Sequence, residues 1–322
     1  MSRQRCGCWK CNAMEQRISV SPPASVANLG SGFDTMGIAL SLCNSVQMQE
    51  WDCIEVVTED GTRPVLGEQN LIWRTVKEVY QRCGRGLSGL RLVQSSPIPQ
   101  ARGLGSSSAC IAAGVVGANR LLGNPLSIQE QLDLAAGLEG HPDNVVPAML
   151  GGYVTSVLEN GRVFAVKKRI SDRLRFCAFV PDFELLTEKA RAALPEKVPH
   201  KDAVYNLSRA ALMAAAFCEG RTDLFAVAAG DRLHQPYRLP LIPGARQVME
   251  TARALGALAV FISGAGPTIM AICDAQDEDF PQRAAAALAG DPQAGRFTPH
   301  LYQAQNEGMF CEEELKRIGL CV

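Results

Sequence analysis

One stretch limits what this chain can become more than any other. It is Pro97-Ile-Pro-Gln-Ala-Arg-Gly-Leu-Gly-Ser-Ser-Ser-Ala-Cys and the Ala- and Val-rich run that continues to Leu122. Pro97 and Pro99 exclude a helix up to that point, because proline fixes φ and lacks the amide donor. Gly103 and Gly105 then free the backbone, and Ser106, Ser107 and Ser108 lead into the small-residue run. Serine is a favoured N-cap, since its oxygen accepts an orphan amide of the first turn. A helix is predicted over about Ser107 to Leu122, roughly 24 Å long. It is apolar nearly all round, so it is expected to be buried, with Gly114 and Gly117 allowing close approach. A glycine loop opening onto a helix N-terminus presents bare amides and the positive end of the helix dipole, which together suit a phosphate. An ordinary loop-to-helix junction has similar composition; the flanking prolines and the serine triplet favour the anion site.

At 322 residues the chain exceeds the size at which single cores divide, so two domains are expected. The 32 basic and 33 acidic residues leave a net charge of −1, which argues against nucleic acid or an anionic membrane as partner. No stretch reaches the ~18 consecutive apolar residues of a membrane span. Of the twelve cysteines, Cys43, Cys53, Cys83, Cys110, Cys177, Cys218, Cys273 and Cys311 stand singly in apolar or helical surroundings. They read as thiols of a reducing, cytoplasmic setting. Cys6, Cys8 and Cys11 are spaced as zinc ligands can be, but no usual fourth ligand lies nearby. Residues 1–14 are therefore read as a disordered extension.

From Ile18 the pattern is strand-like until Pro22 and Pro23, and Ala24 to Asp34 is small, polar and turn-forming. Asn28 and Asp34 are useful hydrogen-bonding groups there if they face a pocket. Met36–Leu42 is apolar; strands are expected over Ser45–Glu50, Cys53–Thr58 and Leu90–Val93, with a helix from Leu71 to Tyr80. Ser127 and Glu130 form a capping box for a helix over Ile128–Glu139. Pro147 argues against one regular element through His141–Pro147. A loop displaying Glu139, His141, Asp143 and Asn144 is the functional alternative to a plain connection. The charged seam Lys167–Arg175, read as a solvated turn, is the candidate boundary between domains 15–167 and 168–322. Beyond it, Thr187 heads a short helix carrying Arg191. Asp202–Cys218 is amphipathic, with Val204, Leu207, Ala211, Leu212 and Ala215 as its apolar face, and another helix is expected near Leu224–Leu233. Ala257–Ile262 and Ile269–Ile272 are strands flanking Ser263–Thr268. That glycine turn is either a simple hairpin or a backbone surface for the phosphate loop. A helix over Phe280–Ala289 and a weakly patterned tail follow.

Pro23-Ala-Ser-Val-Ala-Asn-Leu-Gly-Ser-Gly-Phe-Asp34, Gly103-Leu-Gly-Ser-Ser107 and Ser263-Gly-Ala-Gly-Pro-Thr268 resemble, in order and spacing, the three motifs of the GHMP kinases. Glu139-Gly-His-Pro-Asp-Asn-Val145, Lys201-Asp-Ala-Val204 and His234–Gly244 are similar to signatures of the branch that phosphorylates the side-chain hydroxyl of L-homoserine on the way to threonine. The resemblance spans about Ile18 to Phe310. It implies an α+β fold of two domains: an N-terminal nucleotide domain like the second domain of ribosomal protein S5, and a ferredoxin-like C-terminal domain. The site would lie in the cleft between them, and a homodimer is suggested as well. No Gly-Lys-Ser/Thr ending is present, so the phosphate loop is not of Walker A type.

Carried over residue by residue, the resemblance puts the ATP phosphates on Pro99, Gln100, Ala101, Arg102, Gly103, Leu104, Gly105, Ser106, Ser107, Ser108 and Ala109, with adenine near Asn70 and Leu71. It puts Mg²⁺ on Ser107 (or Ser106) and Glu139, a set that suits a hard cation. Homoserine would meet Asn28, Asp34, His141, Asn144, Thr187, Arg191 and Arg238. The chemistry agrees, because an α-amino acid needs an acceptor for its ammonium and guanidinium forks for its carboxylate. Arg102 and Ser108 depart from the branch, which often has a small residue and an alanine at those positions. Where mevalonate-type kinases carry an aspartate base, the aligned residue here is Asn144, which cannot take a proton, so catalysis by Glu139, Ser107 and Asn144 rests on positioning and charge. Asp143, its neighbour, is the alternative base. A mevalonate- or shikimate-type substrate is disfavoured, having no ammonium for Asp34. A non-catalytic sensor is disfavoured by the intact Ser106, Ser107 and Glu139.

Overall fold

A computed structural model describes residues 16–61, 65, 67–310, 312–317 and 319. The extension 1–14, with Cys6, Cys8 and Cys11, lies outside the described residues, as does Cys311. Residues 18–168 form β1 (Ile18–Val20), β2 (Pro23–Ala27), β3 (Met36–Cys43), β4 (Ser45–Trp51), β5 (Ile54–Thr58), α1 (Leu71–Arg82), β6 (Gly89–Ser95), α2 (Ser106–Leu121), α3 (Ile128–Glu139), α4 (Pro142–Leu150), β7 (Tyr153–Glu159) and β8 (Arg162–Lys168). Two four-stranded sheets result, β1-β4-β6-β5 and β2-β3-β7-β8; only β5–β6 is parallel. The buried α2 runs through this unit. A Cβ on its Gly114 would come within 2.6 Å of the Thr75 side chain of α1, which is why the helix is built of small residues. The Ser127–Glu130 capping box starts α3 as expected.

The second unit holds β9 (Leu174–Pro181), α5 (Thr187–Ala192), α6 (His200–Glu219), α7 (Phe225–Ala228), α8 (Gln235–Arg238), α9 (Ala245–Ala254), β10 (Ala259–Ile262), β11 (Ile269–Asp274), α10 (Phe280–Leu288) and β12 (Phe297–Tyr302). Its antiparallel order β10-β11-β9-β12 is the split βαβ arrangement of a ferredoxin-like fold. Among the described residues no helix is long and apolar enough to cross a membrane.

Several local expectations are corrected. The first strand ends before Pro22 as expected, but the segment read as turn-forming opens with a strand: β2 pairs with β3, and a register break between Pro23 and Ser25 accommodates the missing donor. Pro147 sits inside α4. The room comes from Gly37 of β3, where a Cβ would collide with the Asp143 carbonyl oxygen and the Pro147 ring. The basic seam is not wholly solvated, since Lys167 ends in a buried bond from Nζ to the Leu150 carbonyl at 2.6 Å. On α6 the apolar stripe faces out: Val204 and Leu207 are exposed, while Asn206, Met213, Ala216 and Phe217 are buried. Polar anchoring sets that rotation. Asn206 Nδ2 donates to Ser31 O and to Asp231 Oδ1, and its Oδ1 accepts from the Arg232 amide. The helix expected over 224–233 shrinks to α7, because Asp231 turns the chain by accepting the amides of Leu233, His234 and Gln235. The tail carries β12, and residues 303–310 return to the first unit, where the Met309 amide donates to Met149 O and Phe310 joins the core.

Candidate active site

A cleft of ≈ 260 Å³ lies where the two units meet. Its floor is the glycine loop expected to take phosphates. Ala101, Gly103 and Gly105 all adopt positive φ (51°, 77° and 70°), which turns the chain sharply before α2 begins at Ser106. The turn at 263–268 closes against this loop: Ser263 Oγ donates to Gly103 O at 2.6 Å and the Thr268 amide to Arg102 O at 3.2 Å. Both readings of that glycine turn hold: Ile262 and Ile269 pair across a hairpin, and the turn's backbone also packs against the loop. A Cβ on Gly103 would overlap the Ser263 carbonyl oxygen, so the loop and turn fit only without one.

Glu139 ends α3 and brings its carboxylate to the first turn of α2, at the positive end of that helix. Ser108 Oγ donates to its Oε1 at 2.7 Å, and Ser107 Oγ to its Oε2 at 3.3 Å. The hydroxyl and the carboxylate named for a metal thus lie side by side, and the all-oxygen donor set fits a hard cation. Ser108, buried, is bonded to Glu139 rather than open to a nucleotide. Leu104 and Ala109, named for the phosphates, are fully buried and do not line the cleft; the Ala109 amide bonds to Gly105 O and the Leu104 carbonyl accepts from the Ser25 amide. Arg102 reaches across to the second unit, donating from Nε to Pro181 O at 3.0 Å. A second hollow of ≈ 290 Å³ shares Ala101, Ser106 and Ser107 with the cleft and extends to Gln100, Asn70 and Leu71. Asn70 is consumed in capping α1, its Oδ1 accepting the Ile72 and Trp73 amides, so it shapes that wall rather than presenting a free amide.

The opposite wall collects the residues named for the amino acid. Asn28 fixes the 28–34 turn: its Nδ2 donates to Gly264 O at 2.8 Å and its Oδ1 accepts the Asp34 amide at 3.0 Å. Asp34 takes a two-pronged bond from Arg191 of α5. Arg238 is buried and donates to Gly264 O and to His234 Nδ1. Burial, together with the neighbouring Arg191 charge, pushes the Arg238 guanidinium down to about 10, still charged at neutral pH. Phe33 lies under both guanidiniums, 5.7 Å from Arg191 and 5.1 Å from Arg238. Thr187 lines the cleft from α5. Asn144 lies on α4, not on a loop, and its Oδ1 accepts from Ser25 Oγ at 2.9 Å.

Sequence reasoning missed Ser25, Phe33 and His234 as supports of this wall. Ser25 and Phe33 lie inside the first motif and His234 opens the last, so the signal was present without a geometry to read it. His234 donates from Nε2 to Gly30 O and accepts from Arg238 at Nδ1, which makes it neutral; burial holds its pKa below the ordinary value.

His141 and Asp143 form a close pair, Nδ1 to Oδ1 at 2.6 Å. With Asp34 their ligand atoms lie within 4.8 Å of one another, though Arg191 already occupies the Asp34 oxygens. Burial works to lower the His141 pKa, but the Asp143 hydrogen bond and charge, with Glu139, outweigh it, and the net shift is upward. A raised folded value means stability that is full below the ordinary value of 6.5 and lost as pH rises through the folded one. The Tm advantage of the wild type over a His141→Gln variant, measured by calorimetry, is therefore expected to be largest below pH 6.5. An advantage that grows with pH would contradict the pairing.

Residues 70–152 match the N-terminal domain of the GHMP kinases and residues 213–304 their C-terminal domain. The chain is 44% identical over 293 residues to a homoserine kinase of Caldicellulosiruptor saccharolyticus, covering 90% of this chain and 95% of that protein. It is 43% identical over 273 residues to a homoserine kinase of Clostridium beijerinckii, covering 83% and 89%. The crystal structure of homoserine kinase from Cytophaga hutchinsonii superposes with a TM-score of 0.81 at 28% identity, covering 92% of this chain and 97% of that one.

Proposed function

Since the chain belongs to the homoserine kinases of the GHMP kinase family, we infer that it transfers the γ-phosphoryl group of ATP to the side-chain hydroxyl of L-homoserine. The product is O-phospho-L-homoserine, a step on the route to threonine. One observation carries the assignment of residues: the wall facing the phosphate loop presents a carboxylate, Asp34, beside two guanidiniums, Arg191 and Arg238. Those are the charges that an α-ammonium and an α-carboxylate require.

In this reading the amides from Gly103 to Ser108 receive the phosphates, and the hollow toward Asn70 and Leu71 receives the adenosine end. Ser107 Oγ and Glu139 would hold Mg²⁺, which when bound neutralises charge on the phosphates. Asp34 takes the ammonium, and Arg238 with Arg191 the carboxylate. That orientation leaves the side-chain hydroxyl free to point at the loop. Asn144, fixed by Ser25, cannot take up a proton as a base, and Asp143 is engaged by His141. A loose phosphoryl-transfer transition state makes little demand for a strong base, so orientation does most of the work. An Asp143→Asn enzyme is accordingly expected to keep most of its kcat; a collapse there would make Asp143 the base. The described cysteines are free thiols, which supports a cytoplasmic setting.

The reading is tested by a coupled ADP-release assay on the purified chain with L-homoserine, mevalonate and shikimate. Turnover with L-homoserine alone is expected. Turnover with none, or preference for an acid lacking the ammonium, overturns it.

A further inference from the structure

The two groups assigned to opposite ends of the amino acid are bound to each other. Arg191 donates Nη1–H to Asp34 Oδ2 at 3.0 Å and Nη2–H to Oδ1 at 2.8 Å, so both carboxylate oxygens and one edge of the guanidinium are used. The pair joins the two units across the cleft, Asp34 standing in the 28–34 turn and Arg191 on α5. The Arg191 and Asp34 side chains are 36% and 33% exposed, so water screens the attraction and competes for both groups. Arg238 is different. It is 1% exposed, its bonds run to Ala190 O, Gly264 O and His234, and among the described residues no carboxylate lies within ion-pair distance of it. The cleft therefore holds one fixed cation and one exchangeable ion pair.

Resting on the homoserine reading, we propose that the Asp34–Arg191 pair stands in for the bound zwitterion and that the substrate enters by ion-pair exchange. The α-ammonium takes the place of Arg191 on Asp34, and the α-carboxylate takes the place of Asp34 on Arg191 while also meeting Arg238. Asp34 and Arg191 are paired before and after, and Arg238 gains a carboxylate. A ligand with a carboxylate and no ammonium either leaves the pair closed and meets Arg238 alone, or opens it and strands Asp34. A ligand with an ammonium and no carboxylate strands Arg191. Stranding a charged partner costs more than a missing bond, so the two charges of the substrate count together for more than their separate sum. Discrimination against single-charge alcohols then comes from the pair that the ligand fails to replace.

The test is calorimetric titration of the whole chain, with a non-hydrolysable ATP analogue present, using L-homoserine, 4-hydroxybutyrate and 3-amino-1-propanol. Asp34→Asn keeps a residue that tolerates the positive φ of 55° at this position and releases Arg191. It is expected to bind 4-hydroxybutyrate about tenfold more tightly than the wild type does, while binding L-homoserine at least about tenfold more weakly. Arg191→Gln reads the same exchange from the other unit and stands in should Asp34→Asn not fold. There 3-amino-1-propanol gains about tenfold. Single-charge ligands that bind the variants no better than the wild type overturn the exchange and leave the pair a resting contact. The homoserine reading fails separately, by a wild type that neither binds nor phosphorylates L-homoserine.

Discussion

Replacing Glu139 by alanine is expected to lower kcat roughly 10²- to 10⁴-fold, with little change in the KM for L-homoserine. The expectation follows from where the carboxylate sits. It ends one helix, faces the positive end of another, and is oriented from two sides by Ser107 and Ser108. A group held this way before any ligand arrives needs no reorganisation when charge moves through the site. Its hydrogen bonds run to Ser107 and Ser108 rather than to Asp34, Arg191 or Arg238, so ground-state binding of L-homoserine is expected to change little. Ser108→Ala keeps the carboxylate and removes the shorter of its two bonds, and a fall of several-fold is expected there. Steady-state kinetics across a Mg²⁺ titration, with thermal melts to confirm folding, separate these outcomes. A Glu139→Ala enzyme within about tenfold of the wild type would remove Glu139 from the proposed metal set.

Changing Arg238 to alanine is expected to act on the other substrate. The KM for L-homoserine should rise roughly 100-fold, the scale of one lost charge-assisted contact, while the KM for ATP stays within about threefold. Arg238 is also a structural donor, so its removal leaves His234 Nδ1 without its donor and the Gly264 carbonyl with Asn28 alone, and lowers stability by about 1–3 kcal/mol. Arg238→Lys separates the two roles. The charge is retained, but a lysine cannot span His234, Gly264 and a carboxylate with one planar fork. An intermediate KM is expected, with recovered stability. Equal rises in both KM values would mean that the residue supports the cleft as a whole and does not read the amino acid.

How much of this was legible in the sequence depended on whether local chemistry or tertiary packing decides each element. The glycine loop leading into α2, the Ser127 capping box and the hairpin around 263–268 are decided locally, and each stands where expected. The three-motif resemblance then supplied the pairing of distant segments that no local pattern contains. Failures came where a distant contact overrides the local rule. Pro147 is helical because Gly37, far away in sequence, leaves room for its ring. The stripe on α6 faces outward because Asn206 is tied to Ser31 and Asp231. The strand at Phe297–Tyr302 was hidden because it contains Pro299 and lies at a sheet edge, where a missing donor goes unpunished. Site residues were named from motifs, but their mutual bonds were not readable. That Asn70 and Asn28 are used up in holding backbone, or that Asp34 and Arg191 face each other, appears only once the two units are brought together.

In the proposed arrangement the loop holds the phosphates while the facing wall selects and aims the amino acid. That arrangement is tested most directly by a crystal structure of the chain with L-homoserine and a non-hydrolysable ATP analogue. The prediction is an ammonium on Asp34, a carboxylate on Arg238 and Arg191, and a side-chain oxygen about 3–3.5 Å from the γ-phosphorus above Gly103–Ser108. An amino acid bound in the reverse sense, or triphosphate lying anywhere other than on that loop, would contradict it.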